Sequence, residues 1–129
     1  MLVKDIMKKD VVTISSMSTI KEALKLMREN HVKALVVEKA HENDAYGIIT
    51  YTNILKEIVA EEGDIDLLNV YDVYVKPAVY VSEILDIKYV AQMMVNQSVS
   101  RLLVVDNNKL EGVISMTDII NNILSEYEQ

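Results

Sequence analysis

Two stretches of the chain place apolar residues at the same helical spacing: Ile20, Ala23, Leu24 and Met27, then Ile87, Val90, Ala91 and Met94. Recurrence at i, i+3, i+4 and i+7 predicts an amphipathic helix in each. A short, largely β-branched run follows each helix, Leu35 to Val37 and Leu102 to Val105. Turn-forming residues come next, then a second run opening at Gly47 or Gly112. Each pair of runs predicts two strands joined as a hairpin. The second strand of each pair leads straight into another helical stretch, Thr52 to Glu61 and Thr117 to Tyr127. A further short strand, Val11 to Ile14 or Val79 to Val81, precedes each first helix. The predicted order is strand, helix, strand, strand, helix, twice over.

The two copies are offset by 67 residues up to the apolar run (Ile20 to Ile87) and by 65 from the glycine onward (Gly47 to Gly112), so the first hairpin is two residues longer. One copy of roughly 60 residues has a small sheet with an apolar face to cover and is marginal alone. Two packed together bury that face. Glu61-Glu62-Gly63-Asp64 is the natural boundary, because a charge cluster with a glycine cannot continue the helix stripe. The fold class is therefore α+β: two tandem β-α-β-β-α repeats, residues 1–63 and 64–129, packed as a pseudo-twofold pair.

The strand-to-helix junctions carry the candidate chemistry. Ser115 ends a strand and Asp118 follows three positions on. That spacing sets a hydroxyl at the helix N-cap and a carboxylate in the first turn, where backbone N–H groups lack intrahelical partners. A phosphate finds donors and a favourable dipole there, and a carboxylate can accept from both hydroxyls of a ribose. The same pattern is also a capping box, which needs no ligand.

Composition narrows the classes. The chain has 129 residues, half of them hydrophobic, with net charge −7 and no cysteine. The absence of cysteine excludes disulfides, thiolate metal sites and a cysteine nucleophile. Lys and Arg are scattered, which argues against a broad phosphate-neutralising surface and hence against nucleic acid. A small anion remains compatible, because salt screens a distant negative field within about 10 Å. No signal-peptide core and no apolar run of about 18 residues is present, so a soluble, cytoplasmic protein without a membrane span is expected.

In the order of its repeats and in its junction residues, the chain resembles the CBS domain family. The resemblance rests on Val3-Lys4-Asp5-Ile6-Met7, on the strand Val32 to Val37, and on glycine–apolar–apolar–Ser/Thr–x–x–Asp at the last strand and helix start. It covers nearly the whole chain and occurs twice. It implies a tandem pair, often called a Bateman module, that binds AMP, ADP, ATP or another adenosyl ligand and regulates an attached or partner protein. Leu35 and Leu103 stand where the family often has proline, Asn53 replaces the usual Asp, and Leu85 stands where a Thr or Ser would match Ser18.

By the same resemblance each pocket draws on both repeats. The first combines Ser115, Thr117 and Asp118 with Ser18, Ala23, Lys33 and Ala34. The second combines Thr50, Thr52 and Asn53 with Leu85, Val90, Ser100 and Arg101. The second has lost a carboxylate and a hydroxyl but has gained Arg101, a good phosphate fork. One tight nucleotide per chain is therefore expected, at the first pocket. Lys33 and Arg101 read equally well as solvated strand-edge charges. Apolar residues near Ile14 and Val79 read as an adenine sandwich or as ordinary core strand.

The remaining residues change the picture little. His31 and His41 lie far apart with no ligand cluster, so no metal site is expected. The seven methionines lie mostly on helical stripes as core fillers, Pro77 marks entry to the second repeat's first strand, and Tyr46 and Tyr51 flank the first junction. No nucleophile with a base, no paired catalytic acids and no nucleotide-hydrolysing loop can be read, so neither catalysis nor a catalytic cofactor is expected. The helices after each junction (Ile54, Leu55, Ile58, Val59; Ile119, Ile120, Ile123, Leu124) carry more apolar residues than one core contact needs, which predicts a homodimer. The leading reading is a nucleotide sensor for an unidentified regulated protein. The alternatives are a docking or dimerisation module with empty clefts, and a binder of S-adenosylmethionine or nucleic acid.

Overall fold

A computed structural model describes residues 1–128. The chain folds as two compact units, one made of Val12–Ala78 and the other of Met1–Val11 with the residues from Val79 onward. The sequence reading sets the boundary between the repeats at Gly63, whereas the packing divides at Val11/Val12 and Ala78/Val79. The stretch leading into each repeat packs with the body of the other.

In the unit Val12–Ala78, β1 (Thr13–Ile14) runs parallel to β2 (Ala34–Val37), and β2 pairs antiparallel with β3 (Gly47–Thr50). Helix α2 (Ile20–Asn30) covers one face. Thr19 caps it, its hydroxyl accepting from Glu22 N–H at 3.1 Å, and His31 ends it at φ 55°. The stripe Ile20, Ala23 and Met27 meets Leu35, Val37 and Ile49, with Ile54 and Val70 closing the cluster. The loop 38–46 is fastened by Asp44, which accepts from Ala40 N–H at 2.9 Å and pairs with Lys76 at 2.6 Å. The Lys76 ammonium beside it holds this carboxyl well below the usual carboxylate range.

The other unit repeats the plan. β4 (Tyr80–Val81) is parallel to β5 (Arg101–Asp106), and β5 is antiparallel to β6 (Lys109–Ser115). Its hairpin is tighter, because Asn107 and Asn108 both take positive φ, 51° and 64°. Two consecutive left-handed residues give the twist that a two-residue turn between strands requires. Helix α4 (Ile87–Gln97) buries Val90 and Met94 against Leu102, Val104 and Ile114, and α5 (Met116–Tyr127) adds Ile119.

The leading segments match residue by residue. Val3 in α1 (Val3–Ile6) and Val70 in the 3-10 turn Val70–Asp72 are both fully buried. Asp5 accepts from Leu2 N–H at 2.8 Å, and Asp72 from Asn69 N–H at 2.9 Å. Lys8 and Val113 exchange paired backbone bonds, as Val75 and Ile48 do. This adds Val70-Tyr71-Asp72-Val73-Tyr74 to the duplication, opposite Val3-Lys4-Asp5-Ile6-Met7.

Several expectations need correction. The short strands are two residues each rather than Val11 to Ile14 and Val79 to Val81. After the first junction, α3 (Tyr51–Leu55) is followed by a π-helical turn over Lys56–Ala60, not by one continuous helix; it closes where Glu62 takes φ 55°. Of the methionines, Met27 and Met94 are core residues and Met7 and Met93 pack against the core, while Met1 and Met17 are exposed outside any helix and Met116 is exposed on α5.

Gly112 shows how tightly the leading segment is held. A Cβ there would stand 2.6 Å from the Lys8 carbonyl oxygen and 3.1 Å from Met7 Sδ. That carbonyl already accepts from Val113 N–H at 2.9 Å, so it cannot withdraw without breaking the bridge. Gly112→Ala is expected to destabilise by about 1–3 kcal/mol. Gly47→Ala meets first the Tyr74 ring, which can tilt, and should cost less. Urea unfolding of the two variants side by side checks the order.

Candidate functional site

At the second junction β6 delivers Ser115 to the N-cap of α5. The Ser115 hydroxyl accepts from Asp118 N–H at 3.1 Å, and Asp118 Oδ2 accepts from Ser115 N–H at 2.9 Å. The capping box is therefore built in full. Met116 N–H is also engaged, donating to the Ser100 carbonyl at 2.8 Å. Two of the first backbone donors expected to be free for a phosphate are thus already satisfied. What remains is the carboxylate: the Asp118 side chain is 9% exposed, and its Oδ1 faces Lys8 Nζ at 3.5 Å. The Lys8 side chain is 74% exposed, and so loose a pair contributes at most about 1 kcal/mol. A ligand hydroxyl can displace it.

The first junction is assembled the same way with one change of chemistry. Asn53 N–H donates to the Thr50 hydroxyl at 3.2 Å, and Asn53 Oδ1 accepts from both Thr50 N–H (3.0 Å) and Thr50 Oγ1 (2.9 Å). The amide's single acceptor oxygen is consumed locally, and its remaining group is a donor. Tyr51 N–H donates to the Lys33 carbonyl at 3.1 Å, the counterpart of the Met116–Ser100 bond. The two junctions share one backbone scaffold but only Asp118 offers a charged acceptor.

The other expected site residues fall into two kinds. Ser18, Ala23, Lys33, Ala34, Thr50, Thr52 and Asn53 lie in the unit Val12–Ala78, and Leu85, Val90, Ser100, Arg101, Ser115, Thr117 and Asp118 lie in the other. Ala23 and Val90 are fully buried, so they shape their helices and present nothing at a surface. Leu85 packs against the core of its unit, which accounts for an apolar residue there, and its carbonyl accepts from Val3 N–H at 2.9 Å. Lys33, Thr52, Ser100 and Thr117 are exposed; Ser18, Ala34, Arg101 and Thr50 are half-buried. Arg101 leans on the Ser100 hydroxyl at 3.4 Å. Ile14 belongs to its core, whereas Val79 is 40% exposed.

Sequence reasoning missed Lys8. Nothing in Met7-Lys8-Lys9-Asp10 marks one lysine, and its approach to Asp118 follows only from the backbone bridge to Val113. Among the described residues there is no cluster of His, Cys, Asp and Glu that could hold a metal, and no helix long and apolar enough to cross a membrane.

Comparison with known proteins places this geometry. The CBS domain model matches residues 3–60 and again 70–125. A homoserine O-acetyltransferase of Methanobrevibacter ruminantium is 38% identical over 128 residues, 98% of this chain and 24% of its own length. The chain spans between 24% and 60% of the length of the first curated relatives it matches. Among solved structures, a hexameric CBS-CP12 protein from bloom-forming cyanobacteria is 37% identical with a TM-score of 0.88, over 93% of this chain and 69% of that one. The CBS domain pair of protein MJ0100, solved in complex with 5-methylthioadenosine and S-adenosyl-L-methionine, is 26% identical with a TM-score of 0.84, over 95% and 99% of the two chains.

Proposed function

The chain belongs to the CBS domain family, and from that premise we propose that it is a non-catalytic regulatory module that binds an adenosine nucleotide and signals its occupancy to a partner protein. The observation that carries the reading is the Ser115–Asp118 junction, where a carboxylate nearly closed off from solvent has one oxygen engaged, among the described residues, by an exposed lysine at 3.5 Å. A ribose bonded there gains a charge-assisted hydrogen bond, roughly twice as strong as a neutral one. The complex of the MJ0100 pair supports an adenosine-containing ligand. Lys8 beside Asp118 favours a ligand that brings negative phosphate over one that brings a sulfonium cation. The acetyltransferase relative, of which this chain spans 24%, supports the regulated partner being an enzyme.

Self-association belongs to the same reading, because α5 leaves Met116, Ile120, Ile123, Leu124 and Tyr127 exposed along one stripe. That stripe also favours the second reading, a docking module whose nucleotide sites stay empty. Thermal melting separates the two. A ligand held only by the folded state, at a free concentration 100-fold above its Kd, stabilises by about 2.7 kcal/mol. AMP, ADP or ATP is expected to raise the melting temperature by several degrees, and S-adenosylmethionine by less. No response to any of these would leave the docking module standing.

A further inference from the structure

The two junctions differ at more than one position. Lys8 and Val113 exchange backbone bonds of 2.9 Å in both directions, and in the other unit Val75 and Ile48 exchange bonds of 2.9 and 3.0 Å. A Cβ on Gly112 would stand 2.6 Å from the Lys8 carbonyl oxygen, and one on Gly47 would stand 3.1 Å from that of Val75. Lys8 and Val75 therefore hold the same place against their own sheets, at the offset of 67 residues that also relates Ile20 to Ile87. Asp118 and Asn53 are matched as well, each the third helical residue after its cap. The duplication thus carries lysine with aspartate at one junction and valine with asparagine at the other. Charge is present at both positions or at neither.

The paired change follows from what a carboxylate needs. The Asp118 side chain is 9% exposed, and an anion withdrawn from water is costly without a counter-charge. Lys8 supplies one at 3.5 Å, and among the described residues no other cation pairs with Asp118. At the other junction no anion needs relief, because Asn53 is neutral and its oxygen accepts from Thr50, so a valine suffices. Yet Lys8 is not sequestered as a purely structural partner would be. Its backbone is pinned by two bonds to Val113, while 74% of its side chain lies in solvent. Fixed at one end and free at the other, the ammonium can turn to a second anion placed beside it without the backbone moving.

We propose that Lys8 is the specificity residue of the Ser115–Asp118 junction: it is the counter-ion of Asp118 until a ribose takes the carboxylate, and then the partner of the phosphate that the ribose carries. This rests on the nucleotide reading of the junction and deepens it to a choice between ligands. A free nucleoside displaces the ammonium and leaves it with no anion. A nucleoside phosphate displaces it and brings a new acceptor for a charge-assisted bond. The junction therefore selects the phosphorylated ligand over the nucleoside with the same base and sugar.

Calorimetry with adenosine, AMP and ADP on the wild-type chain, Lys8→Met and Lys8→Arg tests this. Lys8 is exposed, so melting close to wild type shows that each variant is folded. Methionine keeps the apolar stem and removes the charge. AMP and ADP are expected to bind it about tenfold more weakly, while adenosine binds as well as to wild type or better. Arginine keeps the charge and should restore the preference for phosphate. The affinity for AMP should also fall less steeply with salt in Lys8→Met than in wild type. An AMP-to-adenosine affinity ratio unchanged in Lys8→Met, all three ligands weakened alike, or a wild-type chain that prefers adenosine overturns the role of Lys8 and leaves the adenosine-binding reading standing. A wild-type chain that binds none of the three overturns both.

Discussion

Replacing Asp118 by Asn is expected to weaken adenosine-nucleotide binding about tenfold or more while barely changing the melting temperature. Asn53 supplies the reason for the second half: at the first junction an amide builds the same capping box with bonds of 3.0 and 3.2 Å, so the scaffold tolerates the substitution. The first half follows from charge. A ribose hydroxyl donating to a carboxylate gains roughly 1 kcal/mol or more over one donating to an amide, and each 1.4 kcal/mol is a factor of ten. Asp118→Ala removes the cap as well and should abolish tight binding with an added stability loss of about 0.5–2 kcal/mol. Asn53→Ala should leave tight binding nearly intact. Calorimetry with AMP, ADP and ATP reads all three, and equal effects at positions 53 and 118 would show that the two junctions are equivalent.

Deleting residues 1–11 is expected to unfold the unit containing β4, β5 and β6 while leaving the other folded. The segment contributes fully buried Val3, worth about 1.5–3 kcal/mol, and five backbone hydrogen bonds: Val3 N–H to Leu85, Lys4 N–H to Glu83, Ile87 N–H to Met1, and the reciprocal Lys8–Val113 pair. At about 0.5–1.5 kcal/mol each, those bonds and that side chain together reach the whole stability of a small domain. Hydrogen exchange should then show β5 and β6 amides unprotected and those of β2 and β3 still slow. Uniform protection across both sheets would show that the leading segment is dispensable.

The order of elements was legible because it is carried by local signals. The stripes Ile20–Met27 and Ile87–Met94, the β-branched runs and the Ser115–Asp118 spacing each speak through residues within one turn or one strand. The junctions were legible for the same reason: the capping box at Ser115–Asp118 stands as the spacing implied, and Thr50–Asn53 builds a second one that was not read. What was not legible depends on distant backbone. Lys8 meets Asp118 across more than a hundred residues, and the partner exchange of the leading segments leaves no trace in any window of sequence. The valine–x–aspartate match of residues 3–5 with 70–72 was available, but three residues carry little periodicity and its second copy falls in a stretch rich in tyrosine and valine.

The crossing of the leading segments also sets an order of events in time. During synthesis the unit Val12–Ala78 has all its strands and its plug, Val70, once Ala78 has emerged, and it can fold while the rest is still being made. Met1–Val11 has no such option, because its backbone acceptors on Glu83, Leu85 and Val113 are made later. Residues 1–11 therefore find their place after residues 12–78, although they are made before them, and Val3 and Met7 stay exposed until Val113 has emerged. Closing a loop of about a hundred residues is entropically slow, so the late unit should fold behind the early one by a separable kinetic phase.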